Sequence, residues 1–304
     1  PDANRVGGVD VRVRPVRTAE IEAFAMRSVT TGRDGDWAGR VGIRIDTRQH
    51  RARAGFLRVG ADFQHDLGYV RRRDVATFFG RYARVFRPEQ AGGLVREYSF
   101  GFDVEQTRDA AFAADLTRVG SATYAMVFRD SAEVKAAVTS TTEHLLAPFT
   151  VGGSGLRIVP GQYAFDTISA EFTSNRSATL SGGAEVTAGE FWSGRRHLVA
   201  ASLRWRFNAH LAVSSTLSHN DITLPEGPFV ATLAGLRLDW SLTPRMFLNA
   251  YVQRNTETDT WLSNVRFNLI HRPLSDIYLV WNETRVPGAT RRALLVKYTH
   301  LLAF

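Results

Sequence analysis

The last fourteen residues, Arg291–Phe304, constrain the fold more than any other stretch of the chain. From Leu294 to Phe304 every second residue is apolar or aromatic apart from one histidine, whereas alternate positions include Lys297 and Thr299. This period of two is typical of a β-strand with two unlike faces. In a water-soluble protein such a strand would be an edge prone to association. In a closed transmembrane barrel its apolar face meets lipid, so the stretch predicts a membrane-spanning strand.

The rest of the composition agrees with one large β-domain. The 304 residues contain no linker and no low-complexity tract, so we expect a single unit over residues 1–304. No apolar run reaches the roughly 18 residues that a transmembrane helix needs. The absence of cysteine excludes disulfides and thiolate metal sites. Because the chain opens without the apolar core of a signal peptide, we expect it to be the C-terminal part of a longer protein.

Arginine supplies nearly all of the basic residues behind the formal net charge of +8. A basic chain can bind nucleic acid, but these arginines do not cluster. They recur at even spacing within predicted strands, which places them on one face of a sheet. We therefore predict a polar barrel lumen and no nucleic-acid partner. The lumen-facing candidates are Arg40, Arg44, Arg48, Arg204, Arg206, Arg237 and Arg266.

Two roles are open for the inward arginines. They could form a structural ladder with carboxylates, or a positively biased channel that attracts anions. Candidate acidic partners occur in the same predicted strands, at Asp46, Asp103, Glu105 and Asp239. Since most of these strands carry both signs of charge, the sequence favours the ladder.

Alternating segments continue along the chain and give about 16–18 predicted strands. They include Trp37–Arg48, in which Val41, Ile43 and Ile45 alternate with charged residues, and the segments Ala52–Gln64, Ala111–Arg118 and Ala122–Lys135. Tight turns are predicted at Asn208–His210, Thr243–Arg245 and Pro273–Asp276. Longer loops are predicted at Ser218–Pro228, Asn255–Asp259 and Thr284–Thr290. Short periplasmic turns opposite longer external loops are typical of outer-membrane barrels, so we predict a periplasmic C terminus. An odd count near 17 would put the two chain ends on opposite sides, so Arg5–Arg14 is expected to pair with upstream strands or another chain.

One segment, Ala136–Gly161, breaks the alternation. It holds Pro148, Pro160 and the glycine-rich run Gly152–Gly155. Glycine and proline at this density predict irregular backbone. Two interpretations are open: an ordered external loop, or a segment that folds into the lumen.

Tryptophans lie near the predicted strand ends, at Trp205, Trp240 and Trp261. This placement indicates the aromatic girdles of a membrane barrel. The alternative is sugar binding by loop residues, for which the candidates are Trp192, Trp261, Asp221, Glu226 and Asp259. We prefer the girdle, because strand-end tryptophan needs no ligand to explain it.

The sequence contains no phosphate loop, dinucleotide fingerprint or zinc-helix motif. Its 8 histidines are scattered without metal-ligand spacing. A hydrolase at the rim of the barrel would need a histidine beside a carboxylate or serine. The nearest candidates are His219 with Asp221, and His144 near Ser140. We therefore predict no enzyme activity, no cofactor and no metal.

Three passages resemble a known family. They are Asn268–Phe304, Gly68–Phe102 with its GYVRRRD, FRP and REYSF motifs, and Glu143–Phe165 with EHLLAPF and VPGQYAF. The passages resemble a domain of unknown function (number 5916) that usually follows a family-9-type carbohydrate-binding module in large exported bacterial proteins. The resemblance implies an outer-membrane barrel, a longer parent protein with more strands upstream, and a link to carbohydrate. It carries over no catalytic and no sugar-binding residues.

We therefore expect an all-β, antiparallel, transmembrane outer-membrane β-barrel from a Gram-negative bacterium, complete or part of a larger barrel. The expected function is porin-like passage or uptake of small or oligomeric solutes, with carbohydrate as a candidate class. The alternative is a plugged barrel that anchors or scaffolds a surface complex. Expected partners are outer-membrane lipid and the barrel-assembly machinery, which would read Tyr298, Leu302 and Phe304.

Overall fold

The computed structural model describes residues 3–32, 34–66, 68–88 and 93–301. These residues form nineteen β-strands and no helix. The first ten strands are β1 (Asn4–Val16), β2 (Ala19–Thr30), β3 (Asp36–Asp46), β4 (His50–Val59), β5 (Val75–Phe86), β6 (Val95–Arg108), β7 (Asp115–Phe128), β8 (Glu133–Leu145), β9 (Phe149–Thr150) and β10 (Arg157–Ile158). The others are β11 (Gly161–Thr173), β12 (Leu180–Phe191), β13 (Gly194–Arg206), β14 (Leu211–Leu224), β15 (Gly227–Thr243), β16 (Met246–Asn255), β17 (Thr260–Arg272), β18 (Ser275–Val286) and β19 (Ala289–Thr299).

Seventeen of these strands belong to one large antiparallel sheet, while β9 and β10 form a separate short hairpin. Consecutive strands pair from β1 to β7 and again from β12 to β19. The predicted all-β, antiparallel class is therefore confirmed. The ladders formed by the described residues do not close this sheet into a barrel, so barrel closure stays a prediction. Within the same residues, no helix is long and apolar enough to span a membrane.

Contacts between Cα atoms group the chain into two units, which are described separately. The first unit comprises Pro1–Phe128, Lys135–Pro148 and Val159–Ile168. The second unit comprises Arg129–Val134, Phe149–Ile158 and Ser169–Phe304. Each unit contains a run of antiparallel strands with short connections.

A small apolar core lies in the first unit, where the connection between β4 and β5 folds back onto the strands. Its buried residues are Ala38, Val59, Phe63, Val75 and Leu116. The strand predicted over Ala52–Gln64 ends instead at Val59. At the next position, Gly60, any Cβ would overlap the carboxylate of Asp36. That carboxylate accepts a hydrogen bond from the Asp62 backbone N–H at 3.1 Å, which holds the chain as it leaves the sheet.

The predicted strand count agrees with the structure only because two errors cancel. Two strands predicted at Ala111–Arg118 and Ala122–Lys135 are one strand, β7, and β8 occupies much of the segment predicted to be irregular. Gly120 lies in the gap between those two predicted strands. In the structure Gly120 is an ordinary ladder residue opposite Val104, with no atom close to the position a Cβ would take.

The predicted contrast between short turns and long loops in the C-terminal half is wrong. Residues of the predicted loop Ser218–Pro228 continue the β14–β15 ladder, with His219 opposite Thr232 and Asp221 opposite Val230. The connections in this half span two to four residues at both ends of the strands, at 207–210, 225–226, 244–245, 256–259, 273–274 and 287–288. Polar side chains that suggested loops belong to strands because a sheet face tolerates them where it is exposed.

Candidate functional site

The second unit carries an apolar face that is exposed rather than buried. Register places Trp240, Leu248, Phe267, Leu279 and Val296 side by side across five strands. We define the apolar face of this unit by residues that share their side of the sheet. They are Leu203, Trp205, Val213, Leu238, Trp240, Leu248, Val265, Phe267, Leu279, Trp281, Leu294, Val296 and Tyr298.

The first unit has an apolar face of the same kind. On β3, Val41, Ile43 and Ile45 are exposed and alternate with Arg40 and Arg44. Strands β1 and β6 of the same unit add further exposed apolar residues, which are Val9, Val11, Val13, Phe100, Phe102 and Val104. The alternation predicted for β3 is confirmed.

Three tryptophans lie near strand ends on the apolar face of the second unit, as predicted, whereas Trp281 lies in the middle of β18 on the same face. Trp205 and Trp240 lie just before the connections 207–210 and 244–245, and Trp261 lies just after 256–259. All three are between 41% and 49% exposed. The Trp205 ring stacks on Phe207 with the ring centroids 4.1 Å apart. The strand ends therefore have the aromatic composition of a membrane–water interface.

The opposite face of the first unit carries charge in pairs, most densely around Glu22. Its carboxylate accepts a hydrogen bond from the guanidinium group of Arg53 at 3.4 Å and forms an ion pair with that of Arg40 at 3.2 Å. Both guanidinium groups also lie over the ring of Phe79, at 5.1 and 5.7 Å from its centroid. The ring fits because its register partner is Gly55, where a Cβ would overlap it. We call Glu22, Arg40, Arg53 and Phe79 the Glu22 cluster.

Other arginines on this face are paired in the same way. Arg44 binds Asp46 at 3.2 Å, and Arg51 and Arg87 share Glu97 at 2.9 and 2.5 Å. Further pairs are Arg14–Glu20 and Arg81–Asp103. These contacts support the structural ladder over a free positive surface, since each arginine has a carboxylate within reach.

The second unit places mainly neutral polar groups on its polar face. Asn264 Nδ2 donates to Asn282 Oδ1 at 2.6 Å, and the Tyr251 hydroxyl donates to Gln253 Oε1 at 2.6 Å. Asn249 Nδ2 donates to a carboxylate oxygen of Asp239 at 2.8 Å. We call these side chains on β15–β18 the amide ladder. Sequence reasoning missed the amide ladder because both sets of alternate residues on β16 mix apolar and polar side chains, so the sequence does not show which face of the strand is apolar. Only the pairing of β16 with β15 and β17 assigns its faces.

The predicted lumen-facing arginines have different environments. Arg237 pairs with Asp239 at 2.9 Å, and Arg266 donates to Asn249 at 3.3 Å, so both belong to the amide ladder's face. Arg204 lies on the same face opposite Ser181 and Ser214. Arg206 ends β13 and donates to the Ala178 carbonyl at 2.8 Å. Arg48 lies in the connection between β3 and β4 rather than on a strand face.

The β9–β10 hairpin lies against the strand connections of the second unit. The Gly153 backbone N–H donates to Glu257 Oε1 at 2.5 Å, in the β16–β17 connection. The Phe149 ring lies 5.0 Å from that of Trp192 in the β12–β13 connection. A third contact joins Leu156 to Gly227, where an added Cβ would lie 3.3 Å from the Leu156 side chain.

Residues of the hairpin are buried, and so are two residues at the end of β14 next to the 225–226 connection. Ile158 of the hairpin is fully buried, and Val151 is nearly so. Ile222 and Leu224 are buried on the side of β14 that also carries Asn220. The segment predicted as either an external loop or an infolded one therefore divides into the strand β8 and this docked hairpin.

The hydrolase candidates lie on strands, His144 and Ser140 on β8 and His219 and Asp221 on β14. His219 Nδ1 lies 2.8 Å from the Thr232 hydroxyl, and Asp221 is two residues along the same face of β14. In the part of the chain that the structure describes, no group of three or more histidine and carboxylate side chains could hold a metal ion.

The predicted assembly residues are described only in part. Tyr298 is 62% exposed, and its ring stacks with His271 and His300 at 5.5 and 6.1 Å. Leu302 and Phe304 lie outside the described residues. Comparison with known proteins found no family model that matches the chain and no curated protein that matches it. The resemblance to the domain of unknown function therefore stays a prediction.

Proposed function

We propose that the chain forms an outer-membrane β-barrel that passes or takes up small or oligomeric polar solutes. The observation that carries the proposal is the exposed apolar face that alternates with a polar face on the same strands. Soluble monomers rarely expose contiguous apolar patches larger than a few hundred Å². A bilayer would remove this face from water, at a gain of about 25 cal/mol for each Å² of apolar surface.

The distribution of buried residues supports a membrane solvent. Most buried apolar residues of the described chain are small, and Phe63 is the only aromatic residue among them. Many large side chains, including Trp240 and Leu294, are exposed instead. A sheet with its large apolar residues outside and its polar residues on the other face matches the pattern of transmembrane barrels.

The polar faces support neutral solutes, with carbohydrate as the leading class. Amide side chains offer both donors and acceptors, which suits the hydroxyl groups of a sugar. Several arginines on the polar face of the first unit are paired with carboxylates, which weakens their net attraction for ions.

The proposal needs a partner for the first strand. Unpaired backbone N–H and C=O groups in hydrocarbon cost several kcal/mol each. We therefore propose that β1 pairs with upstream strands or with another chain, and that the C terminus lies on the periplasmic side. A continuous ladder between β1 and β19 would contradict this pairing.

The docked β9–β10 hairpin favours a second candidate function. A hairpin that stays closed would make the barrel a plugged anchor for a surface complex rather than a conduit. Both candidates share the membrane fold, and they differ in whether the lumen conducts.

Fractionation and conductance test the proposal together. The chain, expressed behind a secretion signal, should enter the outer-membrane fraction and migrate as a heat-modifiable, folded species. Reconstituted in a planar bilayer, a conduit should give discrete current steps that neutral oligosaccharides interrupt, whereas a plugged anchor should be folded and silent. A stable water-soluble monomer without detergent would contradict both.

A further inference from the structure

Two arginines and a buried carboxylate lie on the apolar face of the second unit, at the end near connections 256–259 and 287–288. Glu283 is 8% exposed and accepts a hydrogen bond from Arg292 Nε at 2.8 Å. It also accepts one from Arg285 Nε through its other oxygen. We call these three residues the Glu283 cluster. Register places them beside Trp261 and Ser263, on the side of the sheet that carries Trp281 and Leu294.

The two guanidinium groups keep their terminal donors free. Both use Nε to reach Glu283, and neither forms another hydrogen bond or ion pair with the described residues. Their side chains are 61% and 58% exposed. A guanidinium has five N–H donors, so each arginine can still bind an anion through its terminal nitrogens. Because one carboxylate holds both groups, the cluster retains one net positive charge.

The cluster lies where an apolar surface ends. The next rows of the same face toward the strand centres are Trp281 with Leu294, then Leu279 with Val296. At the other end of these strands the face carries Leu269, Ile277 and Tyr298 instead. Arginine at the edge of an apolar band reaches the headgroup layer while its stem stays in the apolar region. Tryptophan beside it, here Trp261, is typical of the same layer.

We propose that the Glu283 cluster binds the phosphate group of a membrane lipid in the leaflet at this end of the strands. The planar guanidinium fork matches phosphate geometry and binds it through paired N–H groups. Glu283 holds the two guanidinium groups in place before the lipid binds, so binding loses less side-chain conformational entropy. The inference rests on the proposed membrane function, and in the proposed orientation this leaflet is the external one.

The test compares lipid binding by the wild type and the double variant Arg285→Gln/Arg292→Gln. Vesicles of phosphatidylcholine, with and without a minor fraction of phosphatidic acid, supply a lipid phosphate in defined amount. Phosphatidic acid should raise the thermal unfolding midpoint of the wild type and remain bound in native mass spectrometry. The double variant should bind it at least about tenfold more weakly, the change that loss of one charge-assisted hydrogen bond produces. Arg237→Gln, on the opposite face of the same unit, should bind as the wild type does.

The outcomes separate this inference from the proposed function. A wild type that enters no vesicle would refute the membrane function itself. A wild type that inserts, but holds phosphatidic acid no better than the double variant does, would overturn the lipid site alone. Equal protection by inorganic phosphate in detergent would overturn the lipid as the ligand. If the double variant does not fold, the single variant Arg292→Gln, which keeps the Arg285–Glu283 pair, should still show weakened binding.

Discussion

Arginine at Val296 and arginine at Leu295 should have opposite consequences if the apolar face meets lipid. The two residues are neighbours on β19, and they are 66% and 54% exposed. Val296 pairs with Leu279 on the apolar face, whereas Leu295 pairs with Val280 on the face that carries Lys297. The two substitutions therefore differ mainly in the face of the sheet on which they place the arginine.

The magnitude follows from the depth of Val296 in the apolar band. Between Leu294 and Tyr298, the residue lies near the middle of that band. Arginine on a lipid-facing strand near the bilayer midplane costs about 2–4 kcal/mol. Val296→Arg should then raise the unfolding equilibrium constant roughly 30- to 700-fold. Leu295→Arg, next to polar residues and water, should change the free energy of unfolding by less than about 0.5 kcal/mol.

Reversible urea unfolding in lipid vesicles, followed by tryptophan fluorescence, measures both free energies. The difference between the two variants is the informative quantity, because any general effect of added charge on β19 cancels. Equal effects of the two substitutions would refute the lipid-facing assignment. In a water-exposed sheet both positions are surface sites, so both changes would then be small.

Three further perturbations test other parts of the structure. Tyr298→Arg should lower the amount of folded, heat-modifiable protein in the outer membrane, and an unchanged amount would contradict the facing of this residue. Glu22→Gln should leave the two arginines of its cluster without their shared carboxylate, and should therefore shift the reversal potential in a salt gradient towards anion selectivity. The control Glu226→Gln, in a strand connection, should leave the reversal potential unchanged. In a chain without native cysteine, the pair Gly153→Cys and Glu257→Cys should lock the hairpin when oxidised and lower the conductance, and a reducing agent should restore it. Conductance that is indifferent to oxidation would show that the hairpin does not limit passage.

The strands that sequence reasoning placed best are those with one strongly apolar face. On β3, Val41, Ile43 and Ile45 alternate with charged residues, so only one assignment of its apolar and polar faces is plausible. On β16 both faces mix apolar and amide side chains, and the choice depends on neighbouring strands. Periodicity within one strand cannot supply that information, because it is a property of the pairing.

Turns were less predictable than strands, for a local reason. Glycine and polar clusters mark turns only when the backbone needs them there. Gly120 stays in a ladder, whereas Gly60 ends a strand because a carboxylate occupies the space beside it. The sequence does not distinguish the two glycines. The Glu22 cluster shows the same limit, since its ring and two guanidinium groups come from three different strands.

The two kinds of polar face indicate how a conduit of this composition would select its solutes. The arginines of the Glu22 cluster share a carboxylate, and Arg237 is paired with Asp239. Paired charges in a wet lumen are screened within about 8–10 Å, so they guide ions weakly. Selection would then depend on width and on hydrogen bonding to the amide ladder. Width is the property that the β9–β10 hairpin can change, because the hairpin is docked on the strand connections at one end of the second unit. We therefore expect neutral oligosaccharides to block current by an amount that depends on their length. Block by simple anions at equal concentration would point instead to unpaired positive charge in the lumen.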